Sequence, residues 1–275
     1  MSKPRILFVS QEITPYLPEN QMSGVGRNLP QGIQERGKEI RTFMPRFGVI
    51  NERRHQLHEV IRLSGMNLVV NDFDHPLIIK VASIQPARMQ VYFIDNEEFF
   101  HRKAIFEDKE GNFFEDNDER SIFFVRGVLE TVKKLGWSPD IIHCHGWMTS
   151  LLPTYLKTVY KNDPLFNDTQ VVYSVYDQHP DKKIDDEMIN KVKFDGIEHD
   201  EISVIEKADY NNLHKLAVSH ADAVIKGSEN VDEGVEKAIK EADKPFLDYQ
   251  DEESYIDAYS EFYDKILDEK SVLAD

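Results

Sequence analysis

Short apolar runs alternate along this chain with stretches of helical period, and that alternation predicts an α/β fold. The run Arg5–Ser10 is too short for a helix and reads as a buried strand. A proline-containing loop follows it. Val25, Leu29 and Ile33 then fall on one helical face, with Gly24 and Gly26 at its opening and Gly37 as its stop. Residues 40–44 read as a second strand. A β-loop-α-β unit of this kind sets the helix N-terminus at the carboxyl edge of a parallel sheet, where unpaired N–H groups and the positive helix end suit a phosphate.

Residues 59–70, 77–84 and 89–94 read as strands with 71–75 as a turn between the first two, so a β-rich insertion is expected. Asp116 or Asn117 can cap a helix whose face is Ile122, Val125, Leu129, Val132 and Leu135 and which stops at Gly136. Residues 140–145 form another predicted strand. Trp147, Leu151, Tyr155 and Val159 recur at helical spacing before a strand at 170–176. Residues 177–200 are polar and aperiodic, the pattern of a long loop over the sheet edge. A helix at 212–219, a short strand at 223–226 and a helix bearing Val231, Val235, Ala238, Ile239 and Ala242 follow, and Lys244-Pro245 breaks that helix. Tyr255, Ile256, Tyr259, Phe262, Tyr263, Ile266 and Leu267 make an apolar stripe on a final helix whose other side is acidic. Such a stripe must be covered, by its own domain or by a partner groove.

Length and composition narrow this picture. The 275 residues, 40% of them hydrophobic, can build one large or two small domains. The formal net charge of -17 argues against nucleic-acid binding, because a phosphate backbone would be repelled by most of the surface. The charge is uneven: residues 228–275 hold sixteen acids and five bases, whereas residues 1–50 hold seven bases and four acids. No apolar run reaches the roughly eighteen residues of a membrane span, and the start lacks the layout of a secretory signal. A cytoplasmic protein without a membrane partner is expected, and the single cysteine, Cys144, fits a reducing compartment.

Two constellations could carry chemistry. Ser23, Gly24, Val25, Gly26 and Arg27 place two glycines and a cation where a strand-loop-helix turn could approach an anion, and arginine pairs bidentately with phosphate. The pattern lacks the third glycine of the dinucleotide fingerprint and the Gly-Lys-Ser/Thr of a P-loop, which leaves a phosphate-side loop or an ordinary turn. His143, Cys144 and His145 alternate along a strand, so both imidazoles face one side and the thiol the other. A zinc site needs three or four converging ligands, and none is recognisably spaced nearby, so no metal is expected. His145 could meet a polar ligand at the strand end, and Trp147 is either a sugar-stacking face or a core side chain. No Gly-x-Ser-x-Gly elbow is present and Cys144 has no thiolate stabiliser, so no catalytic residue is assigned.

The order of the segments RILFVSQE, RGKEIRTFMPRFG, VYFIDNEEFFHR, PDIIHCHGWMTSLLPTYL, VVYSVY and LAVSHADAVIKGSENV resembles the N-terminal domain of bacterial glycogen and plant starch synthases. That resemblance implies a Rossmann-like, mostly parallel sheet with helices on both faces, a single GT-B-type domain over residues 1–242, and an acidic helical tail at 243–275 whose last helix packs back. It implies a reaction in which glucose passes from ADP-glucose to the non-reducing end of an α-1,4-glucan, with no cofactor. The donor-side candidates are then Ser23, Gly24, Val25, Gly26 and Arg27, and the sugar-cleft candidates His145, Trp147, Tyr176 and Asp177. Departures stand beside these. Gln21-Met22-Ser23-Gly24-Val25 replaces the family's Lys-Thr-Gly-Gly-Leu, so the phosphate-facing ammonium is gone and Arg27 is the candidate substitute. Gly146 stands where an Asp precedes the Trp, and Tyr176-Asp177 replaces a His-Asn pair. About forty residues follow Val235, too few for another β/α domain of normal size. The expectation is a chain with little transferase activity alone, whose partners are an α-glucan and either another glycosyltransferase or a second copy of itself.

Overall fold

The computed structural model describes residues 3–85, 87, 89–179 and 183–274. Strand β1 (Arg5–Ser10) leads through helix α1 (Gln21–Glu35) to β2 (Glu39–Pro45), as the opening pattern predicts. A short α2 (Glu52–His55), β3 (His58–Glu59), β4 (Met66–Val70), β5 (Phe73–Ile84), β6 (Met89–Asp95) and a short α3 (Glu97–Phe100) make up the insertion and the strand after it. Then come α4 (Asn117–Leu135), β7 (Ile141–His145), α5 (Leu152–Lys157), β8 (Gln170–Val175), α6 (Met188–Phe194), α7 (His199–Ile202) and α8 (Tyr210–His220). The described chain ends with β9 (Ala223–Lys226), α9 (Glu233–Glu241), β10 (Phe246–Leu247) and α10 (Tyr255–Ala274).

The strands lie in the order β10-β9-β8-β7-β1-β2-β6-β5-β3, with β4 paired to β5. Every pairing from β10 to β6 is parallel, and the β5 pairings with β3, β4 and β6 are antiparallel. The chain moves from β1 to β2 on one side and later places β7 on the other. That reversal opens a crevice at the carboxyl ends of β1 and β7, where doubly wound sheets hold ligands.

Several boundaries differ from the sequence pattern, each for a local reason. The expected strand at 59–70 divides, because residues 61–63 turn and Val60 and Ser64 hydrogen-bond across to Ile79. The following turn narrows to Asn71 and Asp72, both at positive φ (51° and 67°), as a two-residue hairpin loop requires. The helical spacing from Trp147 to Val159 becomes a 3-10 turn at Trp147–Thr149 followed by α5, which leaves Val159 exposed. The polar stretch 177–200 contains α6 and the start of α7; its residues 180–182 lie outside the described ones.

Two apolar layers sandwich the sheet. Alternation along β1 sends Leu7 and Val9 to the larger cluster, shared with α4, α5, α8 and α9, and Ile6 and Phe8 to a smaller one under α1 and α10. The stripe on α10 is covered by its own fold: Tyr255, Tyr259, Phe262, Tyr263 and Ile266 are buried against Phe8, Leu29, Ile33 and Ile225. Gly32 lets the two helices approach closely, since a Cβ there would stand 2.5 Å from the Ile256 side chain. The acidic side of α10 meets the bases near α1, with Arg36 on Asp257 at 2.5 Å and the buried Lys38 on Asp264 at 2.9 Å. Tyr263 is the deepest tie, its hydroxyl 2.5 Å from Nδ1 of His143.

This packing sets a stability expectation. Tyr263→Ala leaves a cavity under α10 and should cost about 3–5 kcal/mol. Tyr263→Phe keeps the ring but leaves His143 Nδ1 without its partner, and should cost about 1–3 kcal/mol. Urea unfolding at neutral pH measures both; a Phe variant as stable as the wild type would show that the hydroxyl contributes nothing.

Candidate functional site

The carboxyl edge of the sheet is built from the loop after β1, the first turn of α1 and the ends of β7, β8 and β9. Asn20 caps α1, and a capping box forms: its side chain accepts from Ser23 N–H at 2.8 Å while Ser23 Oγ accepts from Asn20 N–H at 2.8 Å. Gly24 and Gly26 therefore sit inside the helix rather than in a loop before it. Gly26 is needed for close approach, because a Cβ would stand 2.6 Å from the Glu12 carbonyl oxygen, whereas one on Gly24 meets nothing within 4 Å. Three N–H donors of this first turn, those of Met22, Ser23 and Gly24, are occupied. Met22 N–H donates to Gln178 Oε1 at 3.2 Å, and Gly24 N–H to the Asn20 carbonyl at 2.9 Å.

Across the crevice, His145 and Tyr176 come together, with Nδ1 and the phenol oxygen 2.9 Å apart. Both are buried. Gly227 lies against the Tyr176 ring so closely that a Cβ would be 2.8 Å from it. Beside them His143 joins Tyr263 through Nδ1 and Ser174 through Nε2 (2.7 Å), and Ser174 is also within reach of the Tyr176 and Tyr259 hydroxyls. The rim is stitched by polar side chains: Ser228 Oγ accepts from Asp177 N–H at 3.1 Å and lies 3.4 Å from Gln21 Oε1, and Gln11 Oε1 accepts from Met148 N–H at 3.2 Å.

The remaining sequence candidates fall elsewhere. Trp147 is fully buried in the larger core, 5.1 Å from Phe106 and 5.2 Å from Tyr210 between ring centres. Asp177 is exposed on the rim and bound there through its backbone. Val25 lines a cleft beside α1, together with Gly24. Arg27 is half-buried on the flank of the helix, is not among the residues lining that cleft, and lies 3.5 Å from Asn28 Oδ1. Among the described residues no three His, Cys, Asp or Glu side chains group so as to hold a metal ion, and no helix is long and apolar enough to cross a membrane.

Comparisons with known proteins fit this architecture. The family model described as the starch synthase catalytic domain matches residues 5–241. The chain belongs to the starch synthase catalytic domain family. It is 40% identical to the glycogen synthase of Chlorobium limicola over 173 residues, 62% of this chain and 35% of that protein. With the glycogen synthase of Chlorobaculum tepidum it shares 33% identity over 230 residues, 80% of this chain and 45% of that one. The chain thus spans less than half the length of these curated relatives. The catalytic domain of starch synthase IV from Arabidopsis thaliana, solved with ADP and acarbose, superimposes with a TM-score of 0.70 at 16% identity, covering 91% of this chain and 52% of that one. That likeness establishes the GT-B glycosyltransferase fold, a mostly parallel α/β sheet.

Within this starch-synthase-type fold, Gly146 adopts φ 91°, and a side chain there would collide with Gln11 and Met22 Sδ at 2.8–2.9 Å. The position that carries Asp in the resembled motif is therefore filled from the opposite wall. Burial dominates the electrostatics. It lowers His145 to about 3 and, with the neighbouring His145, holds His143 well below its ordinary 6.5; it pushes the Tyr176 and Tyr263 phenols well up. All four are therefore neutral near physiological pH. Sequence reasoning missed Asn20, Gln178, Ser228 and Gly227. Asn20 followed by Ser23 was a readable capping signal, whereas the other three act only through partners far away in the chain.

The buried imidazoles give stability a definite pH dependence. Their folded pKa lies below the unfolded 6.5, so below that pH the unfolded chain binds protons that the folded chain does not, and stability falls as pH falls. For His145 the loss runs from about 6.5 down to about 3, at about 1.4 kcal/mol per pH unit. His145→Gln should flatten the slope of unfolding free energy against pH by about that amount across the window; an unchanged slope would refute the assignment.

Proposed function

We propose that this chain is a glucan-handling, non-transferring member of the starch synthase catalytic domain family, acting beside another glycosyltransferase in α-glucan metabolism in the cytoplasm. One observation carries the reading: among the described residues, the side chains that close the crevice at the carboxyl edge pair with neighbouring groups, and none of them is a lysine or arginine. Glucosyl transfer from a nucleotide sugar develops charge on the leaving diphosphate. Preorganised donors and cations must meet that charge, and the loss of one costs about 3 kcal/mol, or roughly a hundredfold or more in rate. In this crevice the N–H groups of Met22, Ser23 and Gly24 have partners, and Glu12, in the loop before α1, accepts from the Asn20 side chain at 2.6 Å. His145, buried beneath Tyr176 and neutral, faces no solvent. The fold's glucan-side wall is kept while the groups that would handle ADP-glucose are replaced or sealed. A second reading, in which a separate subunit completes a working transferase, is favoured only by the chain's match to less than half of its relatives' length.

The test uses the chain alone and then with a partner. Incubation with ADP-glucose and glycogen should give no glucose incorporation, and the chain should migrate more slowly in native gels containing glycogen. Arg27→Ala should leave that retardation unchanged, since Arg27 is not among the residues lining the cleft beside α1. Steady turnover by the chain alone would overturn the non-transferring reading. Absence of any retardation would overturn the glucan-handling one.

A further inference from the structure

At the opposite, amino edge of the sheet a further concavity stands between the last turn of α1 and the starts of β2 and β6. It encloses about 220 Å³, and Gln34, Glu39, Arg41, Gln90 and Tyr92 are among the residues that line it. Alternation along β2 turns Arg41 to the same side of the sheet as Phe43, toward the larger core. The chain holds 50 acids against 33 bases, yet Arg41 forms no ion pair with a carboxylate among the described residues. Aromatic rings hold it instead. The guanidinium carbon lies 5.1 Å from the Trp137 ring centre and 5.7 Å from that of Tyr92, and Nη1 donates to the Tyr92 hydroxyl at 2.6 Å. Nε is buried without a partner, and Nη2 makes no hydrogen bond among the described residues. The cation is thus fixed but uncommitted, and a fixed donor gives up little rotamer freedom when a ligand arrives.

Neutral donors surround that cation. Tyr92 is the acceptor in its bond with Arg41, so its own O–H remains to donate. Gln34 and Gln90, both exposed, bring carboxamide N–H groups from α1 and β6. Two features oppose an anion here, and both are answered. Glu39 lines the cavity, but its Oε1 accepts from Trp137 Nε1 at 2.6 Å and its Oε2 lies 3.4 Å from Arg5 Nε. The carboxyl end of α1 carries partial negative charge, but Arg36 Nη1 donates to the Gly32 carbonyl at 2.9 Å, and the N–H groups of Gly37 and Lys38 donate to the carbonyls of Gln34 and Ile33.

We propose that this amino-edge cavity binds a phosphate group, as the free ion or on a small monoester, with Arg41 as its cation and Tyr92, Gln34 and Gln90 as flanking donors. A carboxylate offers its oxygens in one plane, whereas a tetrahedral phosphate has oxygens for donors on three walls, β2, β6 and α1. The site lies at the other end of β2 from the crevice and does not depend on the α-glucan reading.

NMR titration of the full chain with inorganic phosphate at constant ionic strength tests it. In the wild type the side-chain amides of Gln34 and Gln90 should shift saturably. Arg41→Gln should weaken the affinity about tenfold or more, the loss of a charged donor. Gln34→Glu, on an exposed turn that needs no repacking, should weaken it about fivefold by setting a carboxylate against the ligand. Arg53→Gln removes the same charge from α2, beyond the far end of β2, and should leave the titration unchanged. Methyl phosphate binding as tightly as the free ion would assign a monoester, and its exclusion would assign the ion itself; both support the site. Acetate matching phosphate would overturn the phosphate class. Absence of saturable shifts in the wild type, or shifts that survive both Arg41→Gln and Gln34→Glu, would overturn the site, whatever the outcome of the glycogen gels.

Discussion

The fold depends on a helix that buries hydroxyls. An aliphatic stripe on α10 would seal the sheet by area alone, but Tyr259 and Tyr263 carry phenol groups into the interior, and an unpaired buried hydroxyl costs about 1–3 kcal/mol. The sheet answers with groups that can pair: His143 for Tyr263, and Ser174 within reach of Tyr259 and Tyr176. Directional bonds of this kind fix the rotation and height of α10 on the sheet more narrowly than apolar contact does. The ion pairs at its edges are weaker determinants. Arg36–Asp257 is largely solvated and adds little, while Lys38, 6% exposed, is the one charge on that seam whose position is enforced by burial.

Fixing α10 in this way has a consequence at the sheet edge. The hydroxyls and imidazoles of this ladder are buried, and two desolvated rings 3.9 Å apart disfavour each other's charge, so His143 and His145 stay neutral. Neutral imidazole accepts a bond from Tyr176 comfortably, and the small Gly227 lets the phenol lie flat beneath the β9 loop. Gly146 and Gly26 do the same on the other wall, admitting Gln11 and the Glu12 backbone where side chains would clash. Closure is therefore distributed over several glycines and carboxamides.

How much of this could be read in the sequence follows from the range of each interaction. The β1-α1-β2 unit, α4 with its Gly136 stop and the stripe on α10 rest on periodicity and, at Gly136, on a local stop, and apart from the start of α1 they stand where the pattern puts them. The order of the segments carried the family resemblance, although its individual motifs are altered. The helix start was misplaced by a few residues, because glycines inside a helix look like a loop until the Asn20–Ser23 box is noticed. The burial of Trp147 was open on either side, since an indole beside a strand end serves a core or a ligand equally well. Gly227 against Tyr176, or Gln178 on Met22, joins loops far apart in the chain and leaves no periodic trace. Arg27 illustrates the limit most sharply: its chemistry suits phosphate, but helical rotation carries it away from the cleft that its neighbours Gly24, Val25 and Asn28 line.

Carboxamides take part in closing the crevice at the carboxyl edge. A lysine or arginine at the mouth of α1 would need an anion or a hydrated path to offset its burial, and closing the crevice would leave that charge stranded. Gln11, Asn20, Gln21 and Gln178 carry no such penalty, because each can pair with a neighbouring backbone or side-chain group in the closed state.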